Sequence, residues 1–253
     1  MRLHLSRFVS QAPAANLDRM DAECAEAAAN GAELCVFPES FLHGYTRSLD
    51  PVVARGRFAA ASAAHPGTAF VFGSFTEERR NRMTLWQGGR ERARYDKVHL
   101  FAPNGEFELW QPGDRYVTVR LGDWTLGLFN CNDLRFPEQA RALRMEGGTD
   151  LLLGVAWWPW RRDHVLRTLL RARAIENGCF AAVCTLAGSE WEGERFAGAG
   201  NHVFDPHGDP VRTADDRSYL LDRARLKELV VDPVKGFVRI DKLEKFGPGT
   251  TPA

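Results

Sequence analysis

The chain has 253 residues, 44% apolar and 26% charged, the proportions of a soluble protein able to bury one large α/β core or two small ones. Lys plus Arg equals Asp plus Glu at 33 each, so the zero formal charge gives no electrostatic reason to expect nucleic acid or an anionic membrane as partner. The opening MRLHLSRFVSQAPAANL lacks the apolar region of a signal peptide, no stretch reaches the roughly 18 apolar residues of a membrane helix, and five scattered cysteines form no zinc-like cluster, which together predict reduced thiols in a cytoplasmic protein without metal.

In chain order, Leu17, Met20, Cys24 and Ala27 or Ala28 recur at helical spacing and predict an amphipathic helix over 16–30, ended by Asn30-Gly31. Residues 34–37 read as a strand buried on both faces and stopped by Pro38. Further strands are predicted over 69–75 and, as a pair joined by Gly88-Gly89, within 82–101. A strand over 123–130, a helix over 137–146 stopped by Gly147-Gly148, and a strand over 150–155 follow. Residues 163–177 predict a helix, 179–185 a strand, and 201–212 two strands around a tight turn at 206–208. No repeat or Pro/Gly-rich linker divides these segments, and the ending GPGTTPA reads as a loose tail. Strand–helix–strand units of this length need crossover connections, so the expectation is one layered α/β domain with at least partly parallel sheet.

Three reactive residue types fall at or near strand ends, where sites assemble in α/β folds: Glu39, Lys97 and Cys131. Each has an ordinary alternative, as a helix cap, a solvated charge and an inert core thiol respectively. Their flanks carry the argument further. VFPES, YDKVHLF and NCNDLRFPE, in this order and at this spacing, resemble the three signature segments of the nitrilase, or carbon–nitrogen hydrolase, superfamily, in its amidase-like branch. GAELCVFPE, WWPWRRDH (157–164), LLRARAIENGCF (169–180) and FDPHG (204–208) extend the likeness over roughly residues 1–215.

The resemblance implies an α-β-β-α sandwich, a single domain over 1–235 with a divergent tail over 236–253, pairing through its helical faces into a homodimer or higher homo-oligomer. It places a Glu–Lys–Cys triad on Glu39, Lys97 and Cys131 and a second glutamate on Glu106, with Glu108 as the rival. It implies hydrolysis of a small carboxamide through a cysteine thioester with release of ammonia, without metal or organic cofactor. The chain departs from the pattern at Asn132, where amidase members carry Tyr, and at Ala199-Gly200-Asn201, where the family reads Gly-His-Ser.

The chemistry needs these residue types. An amide is a poor electrophile with a poor leaving group, so its hydrolysis requires a nucleophile, a proton carrier and oxyanion donors. Glu39 would serve as general base and Lys97 as ammonium. The Asn132 N–H would be a second oxyanion donor, and Glu106 would position Lys97 or the substrate. Expected pocket residues are Asn132, Trp157, His43 and Arg161, with Arg162 as the alternative guanidinium for a substrate carboxylate. Phe41 and Tyr45 would extend the wall, and His99 would support the lysine loop. Arg167 and Arg171, with Glu176 beyond them, read as a salt-bridged surface or a dimer seam. Three alternatives stay open: an N-carbamoyl (ureido) amine hydrolase, an inactive binding protein of the same fold, and a papain-like protease, although no CGSCW-type flank surrounds Cys131.

Overall fold

Alternation along the apolar strands decides the layering. Leu34 and Val36 pack into one core while Cys35 and Phe37, pointing the opposite way, pack into a second. Leu151, Leu153 and Val155 share the first core, whereas Leu152 belongs to a third. Strands apolar on both faces must be covered on both faces, which requires two sheets back to back with helices outside.

The computed structural model describes residues 1–229, and the expected boundary at 235 with its tail over 236–253 lies outside the described residues. The strands are β1 (Arg2–Leu5), β2 (Val9–Ser10), β3 (Leu34–Val36), β4 (Ala69–Glu77), β5 (Arg80–Gln87), β6 (Arg90–Asp96), β7 (Thr118–Leu121), β8 (Trp124–Asn130), β9 (Leu151–Ala156), β10 (Phe180–Thr185), β11 (Gly188–Ser189), β12 (Phe196–Ala197), β13 (His202–Phe204) and β14 (Ser218–Leu220). The helices are α1 (Pro13–Ala29), α2 (Pro51–Ala64), α3 (Glu106–Leu109), α4 (Pro137–Met145) and α5 (Asp163–Asn177).

One sheet has the order β14-β1-β3-β4-β5-β6 and the other β13-β10-β9-β8-β7, with a small third sheet β12-β11-β2. Both large sheets are parallel at their centres, β1-β3-β4 and β10-β9-β8, and antiparallel towards their edges. Helices α1 and α2 cover the outer face of the first sheet through Leu17, Met20, Cys24 and Phe58. Helices α4 and α5 cover the second through Leu143, Leu166 and Leu170. The result is the expected single-domain α-β-β-α sandwich. No helix among the described residues is long and apolar enough to cross a membrane.

The differences from the sequence reading have local causes. Helix α1 begins at Pro13 because a proline fits the first helical turn. Helix α2 was not foreseen. Its start is marked by Pro51 and by Asp50, which accepts the Val52 N–H at 2.8 Å, but its buried stripe is short. The second strand expected within 201–212 reduces to a single bridge between Phe204 and Pro210, since proline cannot donate to a ladder. Its turn forms as expected, held by Asp205, which accepts the His207 and Asp209 N–H groups at 2.9 and 3.0 Å. On α5, Glu176 pairs at 3.0 Å with Arg173, one helical turn away, rather than with Arg167 or Arg171.

Candidate active site

Cys131 ends the apolar run of β8 and opens a 3-10 turn, Cys131–Arg135, with its own φ at +49°. Asp133 in that turn fixes both sides of the site. Its carboxylate accepts the Asn130 N–H at 2.8 Å, the Tyr95 hydroxyl at 2.6 Å and the His99 N–H at 2.8 Å, and lies 2.9 Å from His99 Nδ1. The segment carrying Lys97 is thereby tied to the turn carrying Cys131, and His99, stacked on Phe136, supports it.

Glu39 follows the Phe37-Pro38 stop after β3. The next residue, Ser40, sits at φ +49°, and its N–H donates to Ser74 Oγ at 3.0 Å. Strand β4 passes so close that a Cβ on Gly73 would lie 2.0 Å from the Pro38 carbonyl oxygen, so only glycine fits there. Glu106 is the first residue of α3 and is buried, whereas Glu108 is exposed. Of the two glutamates, Glu106 is therefore the one turned into the protein.

These side chains meet. Lys97 Nζ donates to Glu39 Oε1 and to Glu106 Oε1, each at 2.8 Å, and all three groups are excluded from solvent. Asn81 Nδ2 donates to Glu39 Oε1 at 3.0 Å, and Asn81 Oδ1 accepts from Asn130 Nδ2 at 3.1 Å. Glu39 Oε2 accepts the Trp157 N–H at 2.8 Å. Glu106 receives the Tyr45 hydroxyl at 3.1 Å and the Phe101 N–H at 2.8 Å. Cys131 Sγ donates to the Trp157 carbonyl at 3.8 Å.

The charges follow from burial and neighbours. Burial alone would lower the Lys97 pKa, but Glu39, Cys131 and Glu106 raise it above the ordinary lysine value, so the group is an ammonium. Burial raises the Glu106 carboxyl above the usual carboxylate range, with Lys97 opposing and Glu39 reinforcing. Burial and then Glu39 push the Cys131 thiol well up, against Lys97, so sulfur holds its proton at rest. Passing that proton to Glu39 moves one negative charge from oxygen to sulfur and leaves the cluster's net charge unchanged. That is the step such a site can perform at low cost.

A cavity of about 250 Å³ opens onto Cys131 and Glu106 and is walled by Tyr45, Asn132, Trp157 and Phe196. Arg135 and Arg162 reach it along Trp158, with Cζ atoms 4.7 and 6.0 Å from that ring. Two expected pocket residues, Arg161 and His43, need correction, while Asn132 and Trp157 line the cavity. Arg161 does not line the cavity, because successive side chains of the 3-10 turn Trp160–Arg162 diverge by about 120° and it is Arg162 that faces inward. His43 is buried away from the cavity, with Nε2 accepting the Thr76 N–H at 3.0 Å and Nδ1 2.6 Å from the Gly44 carbonyl. Desolvation lowers its pKa to about 4, so it is a neutral structural ring. Asn132 lines the cavity, but its amide donates to the His99 and Leu100 carbonyls at 3.1 and 3.3 Å, bracing the lysine loop. Sequence reasoning missed Asn81, Asn130 and Arg135. The available signal was polar side chains inside or just after apolar strands.

Residues 6–223 match the family model described as carbon–nitrogen hydrolase. The chain belongs to the carbon–nitrogen hydrolase family. It is similar to a 2-oxoglutaramate amidase of Paenarthrobacter nicotinovorans, 34% identical over 213 residues covering 75% of this chain and 71% of that one. An omega-amidase of Escherichia coli is 38% identical over 135 residues, about half of each chain at 53% and 51%. Among solved structures, a variant of the amidase from Nesterenkonia sp. superposes with TM-score 0.78 at 28% identity, covering 90% of this chain and 93% of that one. In that structure the acetamide moiety of fluoroacetamide is covalently attached at the active-site cysteine. This carbon–nitrogen hydrolase is thus an amidase-type enzyme.

Proposed function

We propose that the enzyme hydrolyses the terminal carboxamide of a small monoamide bearing a distal carboxylate, through a thioester on Cys131, and releases ammonia. The observation that carries this reading is the closed contact of Lys97 with both Glu39 and Glu106 at 2.8 Å, beside a cavity that Glu106 and Cys131 line.

Glu39 takes the thiol proton as Sγ bonds the carbonyl carbon, and the carbonyl electron pair moves onto oxygen. Lys97 Nζ and the Asn132 N–H receive that oxyanion, each such donor being worth about 3 to 4 kcal/mol in the transition state. Asn132 suits the task because the first N–H groups of a helical turn lack partners within it. Glu39 returns the proton to nitrogen as the C–N bond breaks and ammonia leaves. Water then gives a proton to Glu39 and attacks the thioester carbon, and the C–S bond breaks as the proton returns to sulfur. Glu106 holds Lys97 in place throughout.

The distal carboxylate is supported by Arg135 and Arg162, which reach one wall of the cavity and have no ion-pair partner among the described residues. The names of the omega-amidase and 2-oxoglutaramate amidase relatives point the same way. The reading extends to a cytoplasmic homodimer paired through helical faces, supported by the family likeness and by Ile175 exposed on α5. Sedimentation of the purified chain tests the dimer.

Ammonia release from a panel of ω-amides, uncharged amides, ureides and nitriles tests the activity. Turnover greatest on carboxylate-bearing amides and abolished by Cys131→Ala, with an acyl adduct on the wild-type chain by intact mass, is the expected result. Unchanged turnover in Cys131→Ala overturns the reading.

A further inference from the structure

Glu194 lies outside the cavity lining and yet is nearly buried, with 7% of its side chain exposed. Its Oε1 accepts the N–H groups of Tyr45 and Thr46 at 2.7 and 2.6 Å, and its Oε2 accepts Arg47 Nη2 at 2.9 Å. Gly44, at φ +63°, makes room for it, since a Cβ there would sit 2.0 Å from Glu194 Oε2. Arg47 in turn donates to Ser10 Oγ at 2.9 Å and lies over the Trp191 ring, its Cζ 5.2 Å from the centroid. The segment around residues 191–196 is therefore latched onto the turn that follows Glu39.

That turn carries Tyr45, the cavity-lining residue whose hydroxyl donates to Glu106 Oε1, the oxygen that also receives Lys97. The ring of Tyr45 is packed by Trp110 and Trp157, each 5.4 Å away, so the position of its hydroxyl is decided by where its main chain is held. Glu194 holds that main chain. A continuous line of contacts runs from Glu194 through Tyr45 and Glu106 to Lys97.

We propose that Glu194 is a positioning residue for amide hydrolysis: its carboxylate, seated in the turn of residues 44–47, fixes Tyr45 and through it the Glu106–Lys97 pair. The inference rests on the thioester reading above. Three donors hold Glu106: Lys97, Tyr45 and the Phe101 N–H. When Tyr45 drifts, Glu106 loses one of them and Lys97 loses its fixed position opposite the developing oxyanion. The effect belongs to the transition state, so kcat falls while KM stays.

The test is a double-mutant cycle with Glu194→Asp and Tyr45→Phe, assayed by ammonia release from a carboxylate-bearing amide. Glu194→Asp keeps the charge beside Arg47 but withdraws it from the turn, and it should lower kcat about tenfold with KM unchanged. In the Tyr45→Phe background the same change should alter kcat by less than about twofold. Equal losses in both backgrounds, or a raised KM with kcat intact, overturn the proposal. Should Glu194→Asp melt below the assay temperature, the isosteric Glu194→Gln takes its place in the cycle and is read by the same criteria. Turnover retained in Cys131→Ala would instead defeat the thioester reading, a result distinct from an additive cycle.

Discussion

Glu39 Oε2 accepts the main-chain N–H of Trp157 at 2.8 Å, across 118 residues of sequence. The carbonyl of the same residue faces Cys131 Sγ at 3.8 Å. Glu39 and Cys131, the proposed base and nucleophile, are thus both referenced to one residue at the end of β9, and the cavity wall that Trp157 supplies cannot shift without moving Glu39. The geometry of the reaction and the shape of the pocket are set by the same stretch of backbone.

Asn81 completes the grip on Glu39. Its amide donates to the carboxylate and accepts from Asn130, while its carbonyl receives the Lys97 N–H at 3.0 Å. Replacing Asn81 by Ala removes both side-chain bonds and leaves Asn130 without its acceptor. A loss of about 2 kcal/mol in urea-unfolding stability and a fall in kcat of about tenfold or more are expected. Wild-type values for both quantities would show that Asn81 holds nothing of consequence.

The two glutamates of NGEFELW should behave differently. Glu106→Gln keeps the shape but removes the charge opposite Lys97, and we expect kcat to fall about a hundredfold. Glu108→Gln, on the exposed face of α3, should leave it unchanged. Because burial holds the Glu106 carboxyl above the usual carboxylate range, the wild-type acid limb should begin at higher pH than an exposed glutamate would give. A kcat–pH profile of Glu106→Gln lacking any change in that limb would count against this assignment.

His43 connects the site to acid stability. Its pKa drops from 6.5 to about 4 on folding because desolvation disfavours the imidazolium. The unfolded chain therefore takes up the proton first as pH falls, so this contribution is complete above about pH 6.5 and is lost between 6.5 and 4. The loss should reach about 3 kcal/mol. Urea midpoints of wild type and His43→Gln should converge as the pH is lowered from 7 to 4.5. Parallel curves would mean that the ring does not titrate in this way.

Arg162 and Arg161 are neighbours in sequence with different outlooks. Arg162→Ala should raise KM about tenfold for a carboxylate-bearing amide and leave an uncharged amide unaffected. Arg161→Ala should change neither. An equal effect of Arg162→Ala on charged and uncharged substrates would argue for a packing role against Phe101 and Trp158.

The layering and the ends of β3 and β8 were legible in the sequence because apolar runs bounded by Pro38 and by the Cys131 turn declare themselves locally. The cluster of Glu39, Lys97 and Cys131 was legible only through its flanking motifs, since nothing in spacing alone brings positions so far apart together. Asn81, Asn130 and the link from Glu194 to Tyr45 were not legible, because their partners are chosen by tertiary packing across sheets and loops. The inward arginine was misassigned by one residue because the phase of a three-residue 3-10 turn is set by how Pro159 enters it. Helix α2 escaped because its start signals at Asp50 and Pro51 precede two exposed valines and only a short buried stripe.

Cys131 and Ser40 both stand at φ +49°, a backbone region that costs a side-chain-bearing residue about 1 to 2 kcal/mol. Glycine ordinarily weakens a folded position relative to alanine by roughly 0.5 to 1 kcal/mol. At position 131 that order should reverse, with Cys131→Gly melting at or above Cys131→Ala in calorimetry. Anyone breeding this chain for heat resistance alone would drift towards glycine at such positions and would find inert clones among the hardiest survivors.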